Sequence, residues 1–180
     1  MTSNNASVQG SPPSLTIEEK YDVMKKRLAS YSMNICASIT AAGGRLSEHF
    51  RQTTKHSAIL KAKKRGDDPT PESLASELLE MLDEFSTAGV QVNRSAGSVE
   101  VINETCGCLS PFISQAAKFG FTAAEARNYA CANCIPSYRL MTRMLNHEFE
   151  GRLTPAKADA ADGLTDNCGG CIMKFSRTDK

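Results

Sequence analysis

The sequence predicts an α+β fold, in which N-terminal helices pack with a small antiparallel sheet and the C-terminal half is rich in cysteine. Apolar residues in the first half recur at three- and four-residue steps, which is typical of amphipathic helices. Between residues 90 and 102 the apolar period becomes two, which is typical of strands. Six of the seven cysteines then occur as three close pairs, so the second half concentrates thiol chemistry.

Length and composition predict one folded domain. The chain has 180 residues, of which 41% are hydrophobic and 23% charged, which suits a single modest core. Residues 1–14 are rich in Ser, Asn, Gly and Pro and are predicted to be a disordered tail. Residues 15–180 are predicted to form a single α+β domain, with a helical part over 15–66 and a cysteine-rich part over 70–176.

Charge and hydropathy exclude two classes of partner. The net charge is +1, which provides no long-range field for nucleic acid or an anionic membrane. No apolar run approaches the roughly 20 residues of a transmembrane helix, and the N-terminal region lacks the order of a signal peptide. We therefore expect a cytoplasmic protein, where thiols stay reduced and clustered cysteines indicate metal or redox chemistry.

The first half is predicted to be helical. Thr16 and Glu19 form a capping box at the start of the first helix. Its apolar face is formed by Ile17, Tyr21, Met24, Leu28, Tyr31, Ile35 and Ile39. A second, more polar helix runs from Leu46 towards Lys61. Thr70 and Pro71 offer an N-cap and a first helical residue. The third helix that they start carries Leu74, Leu78, Leu79, Leu82 and Phe85 on one face.

The second half mixes strands and helices. Alternating valines flank a turn at residues 93–97 and predict a β-hairpin. A short helix follows over 111–119, and a longer one starts at the capping box of Thr122 and Glu125 and runs at least to Ala132. Pro136 restarts that helix, whose apolar face continues to Phe149. Residues 151–166 are predicted to be a loop, and residues 171–175 a last strand beside the hairpin.

The three cysteine pairs predict a metal site. They are Cys106 with Cys108, Cys131 with Cys134, and Cys168 with Cys171. Two thiolates separated by one or two residues can reach a common metal, because the short loop directs both sulfurs to one side. The glycines inside the first and last pairs permit such a tight loop. The remaining cysteine, Cys36, lies alone on an apolar helical face and is expected to be buried.

The chemical role of the paired cysteines stays open between three alternatives: a zinc site, an iron–sulfur cluster and a redox dithiol. Tetrahedral zinc and a 4Fe–4S cluster each take four thiolates, and zinc is the commoner occupant of paired cysteines. The last pair could instead act as a redox dithiol, although no βαβ unit surrounds it. His49, His56 and His147 could complete a metal site, but each lies beside polar residues in a predicted helix, where surface exposure is expected.

The order of these elements, with Cys131 in a long helix and a closing strand after Cys168 and Cys171, resembles the 4-vinyl reductase domain family over about residues 73–175. This resemblance implies helices with a small antiparallel sheet, small-molecule sensing and, in some members, a structural zinc held by cysteines. The helical front and cysteine-bearing back half are also similar to the aminothiazoline carboxylate hydrolases, which implies a hydrolase.

Two functions follow as hypotheses, beside a third in which the chain is a small adaptor whose core is held by zinc and whose apolar faces bind a partner or a second copy. The first is a metal-binding sensor that accepts a small hydrophobic ligand between the third helix and the sheet, and passes its signal to a protein partner or a second copy. The second is a metal- or thiolate-dependent enzyme, with Glu104 or Glu125 as acid or base. The motifs of serine hydrolases, P-loop proteins, zinc proteases and dinucleotide-binding proteins do not occur, so whether the chain is an enzyme stays open.

Overall fold

The computed structural model describes residues 15–66, 69–85, 87, 89–154 and 169–178. Helices dominate the first half and an antiparallel four-stranded sheet lies in the second, which confirms the predicted α+β class. The helices are α1 (Ile17–Ala41), α2 (Leu46–Arg65), α3 (Pro71–Glu84), α4 (Leu109–Ala116), α5 (Ala123–Cys131) and α6 (Cys134–Met144). The strands are β1 (Val90–Ser95), β2 (Ser98–Asn103), β3 (His147–Leu153) and β4 (Cys171–Arg177). The predicted tail at 1–14 lies outside the described residues.

Side-chain caps start three of the helices where the sequence predicts them. The Thr16 hydroxyl accepts a hydrogen bond from the Glu19 N–H at 3.2 Å, and the Glu19 carboxylate accepts one from the Thr16 N–H at 2.8 Å. Thr70 and Thr122 cap α3 and α5 in the same reciprocal way. These bonds satisfy backbone donors that a helix start leaves open. Among the helices that the structure describes, none is long and apolar enough to cross a membrane.

The sheet has the order β1-β2-β4-β3, with every neighbouring pair antiparallel. The predicted hairpin is confirmed as β1 and β2, joined by Ala96 and Gly97. Gly97 has a φ of 82°, a backbone conformation that residues with a side chain rarely adopt. The predicted last strand is confirmed as β4. β4 lies between β2 and β3, so it is an interior strand of the sheet.

One predicted helix is too long, and one strand was missed. The apolar helical face that was predicted to continue to Phe149 ends with α6 at Met144, and Asn146 takes a φ of 55° that turns the chain. Residues 147–153 form β3, in place of a helix end and the start of a loop. Phe149 is held in the sheet by ring contacts to Tyr138 and Phe175, with centroids 6.4 and 5.3 Å away. The rest of the predicted loop, from 155, lies outside the described residues.

The main core lies between α3 and the sheet. It is built from buried side chains of α3, β2, β4 and α6, among them Leu74, Leu78, Leu82, Val99, Val101, Met141, Met173 and Phe175. This cluster lies where a small hydrophobic ligand is predicted, between the third helix and the sheet, and Leu74, Leu78 and Leu82 of α3 are fully buried there.

Helix α1 does not bury the apolar face that its sequence predicts. Its buried residues are Ala29, Met33 and Cys36, and α4 is the element that α1 contacts most. The predicted face is turned to solvent, and Ile17 and Met24 are 81% and 66% exposed. Burial of Cys36 agrees with the sequence analysis.

A partly buried ion cluster joins α2 to α3. The Glu77 carboxylate accepts hydrogen bonds from Lys61 Nζ at 2.5 Å and from an Arg65 guanidinium nitrogen at 2.9 Å. The Lys61 ammonium also lies 4.3 Å from the ring centroid of Tyr138 on α6. Burial raises the pKa of Glu77, but the two hydrogen bonds and the positive charges outweigh it, so the pKa is below its ordinary value. Glu77 is therefore ionised and holds α2 against α3.

Replacing Glu77 with Gln is expected to lower the free energy of unfolding at pH 7 by about 3 kcal/mol, because two partly buried cations lose their counter-ion. Since the pKa of Glu77 is lower in the folded chain, its contribution is complete above the ordinary glutamate pKa of about 4.3. It is lost as the pH falls through the folded-state pKa. Urea unfolding at several pH values measures both effects.

The matched control is Glu48→Gln, because Glu48 also pairs with an arginine, Arg51, but on an exposed turn of α2. Exposed pairs contribute little, so this variant should unfold like the parent chain. Equal destabilisation by the two substitutions would contradict the role given to Glu77.

Candidate thiol centre

Five cysteines converge at one end of the sheet, and we call this set the thiol centre. Cys106 and Cys108 lie in the loop after β2, Cys131 is the last residue of α5, Cys134 is the first of α6, and Cys171 is the first of β4. Their thiols are close enough for the charge on one to alter the pKa of another. The structure thus brings together five of the six predicted metal ligands. The sixth, Cys168, lies outside the described residues.

Strand pairing fixes the position of Cys171. It lies opposite Asn103, the last residue of β2, and opposite Leu153, the last residue of β3. The backbone N–H of Cys106 donates a hydrogen bond to the Gly169 carbonyl at 3.1 Å. The loop that carries the first cysteine pair is therefore attached to the chain segment that leads into β4.

Glycine is required at two places in this centre. A Cβ atom at Gly170 would lie 1.8 Å from the backbone oxygen of Asn103, and one at Gly107 would lie 2.3 Å from that of Phe85. Real Cβ atoms do not approach a backbone oxygen so closely, so each glycine lets two chain segments touch. The glycines between paired cysteines, which the sequence analysis linked to tight loops, thus have a visible steric cause.

Cys106 and Cys108 form an asymmetric pair. A hydrogen bond from the Cys108 thiol lowers the pKa of Cys106 against the effect of burial, and the backbone N–H groups of Cys108 and Leu109 act in the same direction. The same hydrogen bond, followed by burial, raises the pKa of Cys108. Within this pair Cys106 is therefore the thiol that ionises more readily.

The other buried thiols are held in their protonated form. Burial raises the pKa of Cys134, and the nearby thiols raise it further. Burial is also the main reason why the pKa of Cys171 rises to about 12. A metal ion removes such protons when it binds, because the thiolate is the ligand.

Two polar side chains beside the thiol centre were missed by the sequence analysis. The Asn103 amide lowers the pKa values of Cys106 and Cys171, yet within the described chain neither of its polar atoms makes a hydrogen bond of normal geometry. The Tyr138 hydroxyl is likewise buried without a hydrogen-bond partner there, and its pKa is raised by burial and by Cys134. Both residues are fully buried. Because neither belongs to a recognisable motif, only the fold could identify them.

The three histidines do not join the centre. His147 is the first residue of β3 and Leu153, beside Cys171, is the last, which places them about 20 Å apart along the strand. His49 packs its ring against Phe50 at 5.5 Å, and His56 is exposed on α2.

The two candidate carboxylates are exposed. Glu125 accepts hydrogen bonds from the Thr122 N–H and hydroxyl at 2.8 and 2.9 Å, and these bonds lower its pKa. It therefore serves as the capping residue of α5. Glu104 follows β2, two residues before Cys106, and is exposed as well.

The thiols are near one another but are not gathered around a point. Among the residues that the structure describes, no three His, Cys, Asp or Glu side chains are arranged so that they could hold a metal ion as they stand. A cysteine sulfur changes position when its single χ1 torsion moves to another rotamer. Metal binding at this centre would therefore require cysteine side chains to turn from the positions that they occupy.

An apolar groove lies on the other side of the turn between Cys131 and Cys134. It has a volume of about 590 Å³ and lies between α2 and α6. Its lining includes Phe50, Thr54, Ile59, Ala132, Pro136 and Leu140. Asn133 in the same turn accepts hydrogen bonds from the Thr53 and Thr54 hydroxyls at 2.9 and 2.7 Å. A continuous path of contacts thus leads from the groove to the thiol centre.

Comparisons with protein family models, with curated proteins and with solved structures found no match to this chain. The similarity to the 4-vinyl reductase domain family therefore stays a prediction. Function has to be argued from the chemistry of the site.

Gly170→Ala is expected to destabilise the fold by about 1–3 kcal/mol or more, since the added methyl group overlaps a backbone oxygen that cannot move without shifting the β2–β4 register. Chemical denaturation measures the loss. Glu104→Ala, an exposed change beside the same loop, serves as the control and should leave the midpoint in place. A Gly170→Ala protein as stable as the parent would contradict the close approach.

Proposed function

We propose that this protein is a metal-binding module whose thiol centre holds zinc or, alternatively, a 4Fe–4S cluster, and that it senses a small hydrophobic molecule. The observation that supports this most is the convergence of five cysteines from four separate segments at one end of the sheet. Cysteines serving only as core filler have no reason to meet in this way. Cys168, three residues before Cys171, would supply a sixth donor.

The buried amide of Asn103 supports a bound group rather than a simple core. This amide lies beside the sulfurs of Cys106 and Cys171 and lowers the pKa of both thiols. Thiolates accept hydrogen bonds more strongly than thiols do, so deprotonation of Cys106 or Cys171 on metal binding would give this amide a stronger acceptor. The proposed metal would supply the positive charge that keeps several neighbouring sulfurs deprotonated.

The number of sulfurs does not decide between zinc and a cluster. Both groups take four thiolates, and the five described cysteines exceed that number by one. Zinc is the first choice because it is the commoner occupant of paired cysteines. Either group would connect the loop after β2 with α5, α6 and β4, and would thereby order the cysteine-rich half.

The groove between α2 and α6 is the proposed ligand site. Its volume of about 590 Å³ lies within the range of small-molecule sites, about 300–1,000 Å³, and its lining is mostly apolar. A ligand that separates α2 from α6 would pull on the bonds between Thr53, Thr54 and Asn133. Asn133 lies between Cys131 and Cys134, so binding would be transmitted to the metal ligands.

A thiolate-dependent enzyme is the second candidate, and the Cys106–Cys108 pair favours it. A cysteine whose pKa is lowered by a neighbouring thiol is a better nucleophile or redox partner at neutral pH than an ordinary one. The exposed positions of Glu104 and Glu125 give this candidate no carboxylate inside the centre. It would therefore depend on thiol chemistry alone.

The first experiment is anaerobic purification, followed by an absorption spectrum and by zinc and iron analysis of the same sample. Colourless protein with about one zinc per chain would support the zinc module. Brown protein with about four irons would support the cluster alternative. Metal-free protein, in which a mild oxidant reversibly removes two thiols per chain, would contradict the metal module and support the dithiol chemistry.

Replacing Cys131 and Cys134 together with Ser is expected to remove most of the bound metal and to lower the unfolding temperature, because the apo site leaves the cysteine-rich half partly unconnected. Metal content per chain and thermal unfolding are the two readouts. Cys36→Ser is the control, since Cys36 is buried on α1 and is not one of the five cysteines of the thiol centre, and this variant should keep its metal. Full metal retention in the double variant would exclude a shared site.

A further inference from the structure

Helix α1 carries an uncovered apolar seam, defined as Ile17, Tyr21, Met24, Leu28, Tyr31 and Ile35. Successive members are four, three, four, three and four residues apart, an average step close to the 3.5 residues of a coiled-coil seam. Seam residues are between 42% and 81% exposed. Seven of the eleven large hydrophobic side chains that are exposed in the described chain lie on α1. Such a concentration marks an interaction surface.

The residues of α1 that are buried by the rest of the protein lie on a different face of the helix. They are Ala29, Met33 and Cys36. Over residues 17–28 every side chain is exposed except Lys25, which is half-buried and pairs with Asp22 of the same helix at 2.9 Å. The Tyr21 hydroxyl donates a hydrogen bond to the Glu84 carbonyl, and the other seam residues of these three turns are available to another helix.

We propose that a second copy of this chain covers the seam, with the two α1 helices antiparallel over residues 17–28. In this register Ile17 lies opposite Leu28 of the other copy, and Tyr21 lies opposite Met24. The two-fold axis lies between Asp22 and Val23, so each of these two pairs of residues occurs twice in the dimer. The same surface patch then serves both copies, as a closed symmetric dimer requires.

Charge favours this orientation. Residues 17–22 contain Glu18, Glu19, Asp22 and Lys20, and residues 25–27 are Lys25, Lys26 and Arg27. The first group has a net charge of −2 and the second a net charge of +3. Antiparallel helices place these groups side by side, with Glu18 facing Lys25 of the other copy, whose ammonium also pairs with Asp22 of its own helix at 2.9 Å. Parallel helices would place each group beside its own like charge, which disfavours that arrangement.

The area available suits a weak dimer. Full burial removes about 100 Å² for an aliphatic side chain and about 200 Å² for a tyrosine. The exposed fractions of the four seam residues inside the overlap, Ile17, Tyr21, Met24 and Leu28, then correspond to about 290 Å² per copy and about 570 Å² per pair. Specific interfaces start near 1,200 Å², and the stems of flanking lysines and arginines supply part of the difference. A weak, reversible dimer is therefore expected.

Sedimentation equilibrium of the full chain, from about 1 to 200 μM, tests the proposal at concentrations where an interface of this size should form. The mass should rise from 19.4 kDa towards twice that value.

Met24→Glu and Leu28→Glu should each keep the chain monomeric, with unchanged circular dichroism because both side chains already face solvent. Leu60→Glu is the matched control, since Leu60 on α2 is 54% exposed and Leu28 is 55% exposed; this variant should still dimerise.

Orientation is tested by exchanging charges. Glu18→Lys and Lys25→Glu should each weaken the dimer, and the two changes together should restore it, because the facing pair is then re-formed with its signs exchanged. A chain that stays monomeric at every concentration would overturn the proposal and leave the seam to a different protein. A dimer insensitive to the Met24 and Leu28 changes would overturn it as well, and failure of the double exchange would overturn the antiparallel arrangement.

Discussion

Gly170 brings the start of β4 directly against the backbone of Asn103, with no room for a side chain between them. From that contact β4 runs between β2 and β3, and this sets the strand order. It also places Cys171 at the sheet end from which the loop of Cys106 departs. The helices α5 and α6 then bring their cysteines to the same end. The thiol centre thus lies where this close backbone approach joins the start of β4 to the end of β2.

Local signals predicted much of the fold, and competing signals explain the errors. The capping residues Thr16, Thr70 and Thr122 act within four residues, so their helices start where the sequence indicates. β3 was missed because Phe149 fits both a helical face that continues from α6 and a two-residue alternation with Gly151 and Leu153. The two-residue alternation is the signal that indicates a strand. The choice between helix and strand is made by pairing with β4, a segment distant in sequence.

The thiol centre was predictable in its members but not in its surroundings. Paired cysteines can be recognised from spacing, whereas Asn103 and Tyr138 carry no spacing signal and reach the centre only through the fold. A similar limit applies to α1. Its periodicity shows that one face is suited to burial, but it does not show what buries it. The body of the protein instead uses the smaller stripe of Ala29, Met33 and Cys36.

The position of Tyr138 has a spectroscopic consequence. The chain has no tryptophan and four tyrosines, so its ultraviolet emission comes from tyrosine alone. Tyr138 is the one that is fully buried, with the Lys61 ammonium over its ring and Cys134 near its hydroxyl. Thiolates and bound metals quench nearby phenol emission, so the intrinsic fluorescence of the native chain should report the state of its cysteines without any added label.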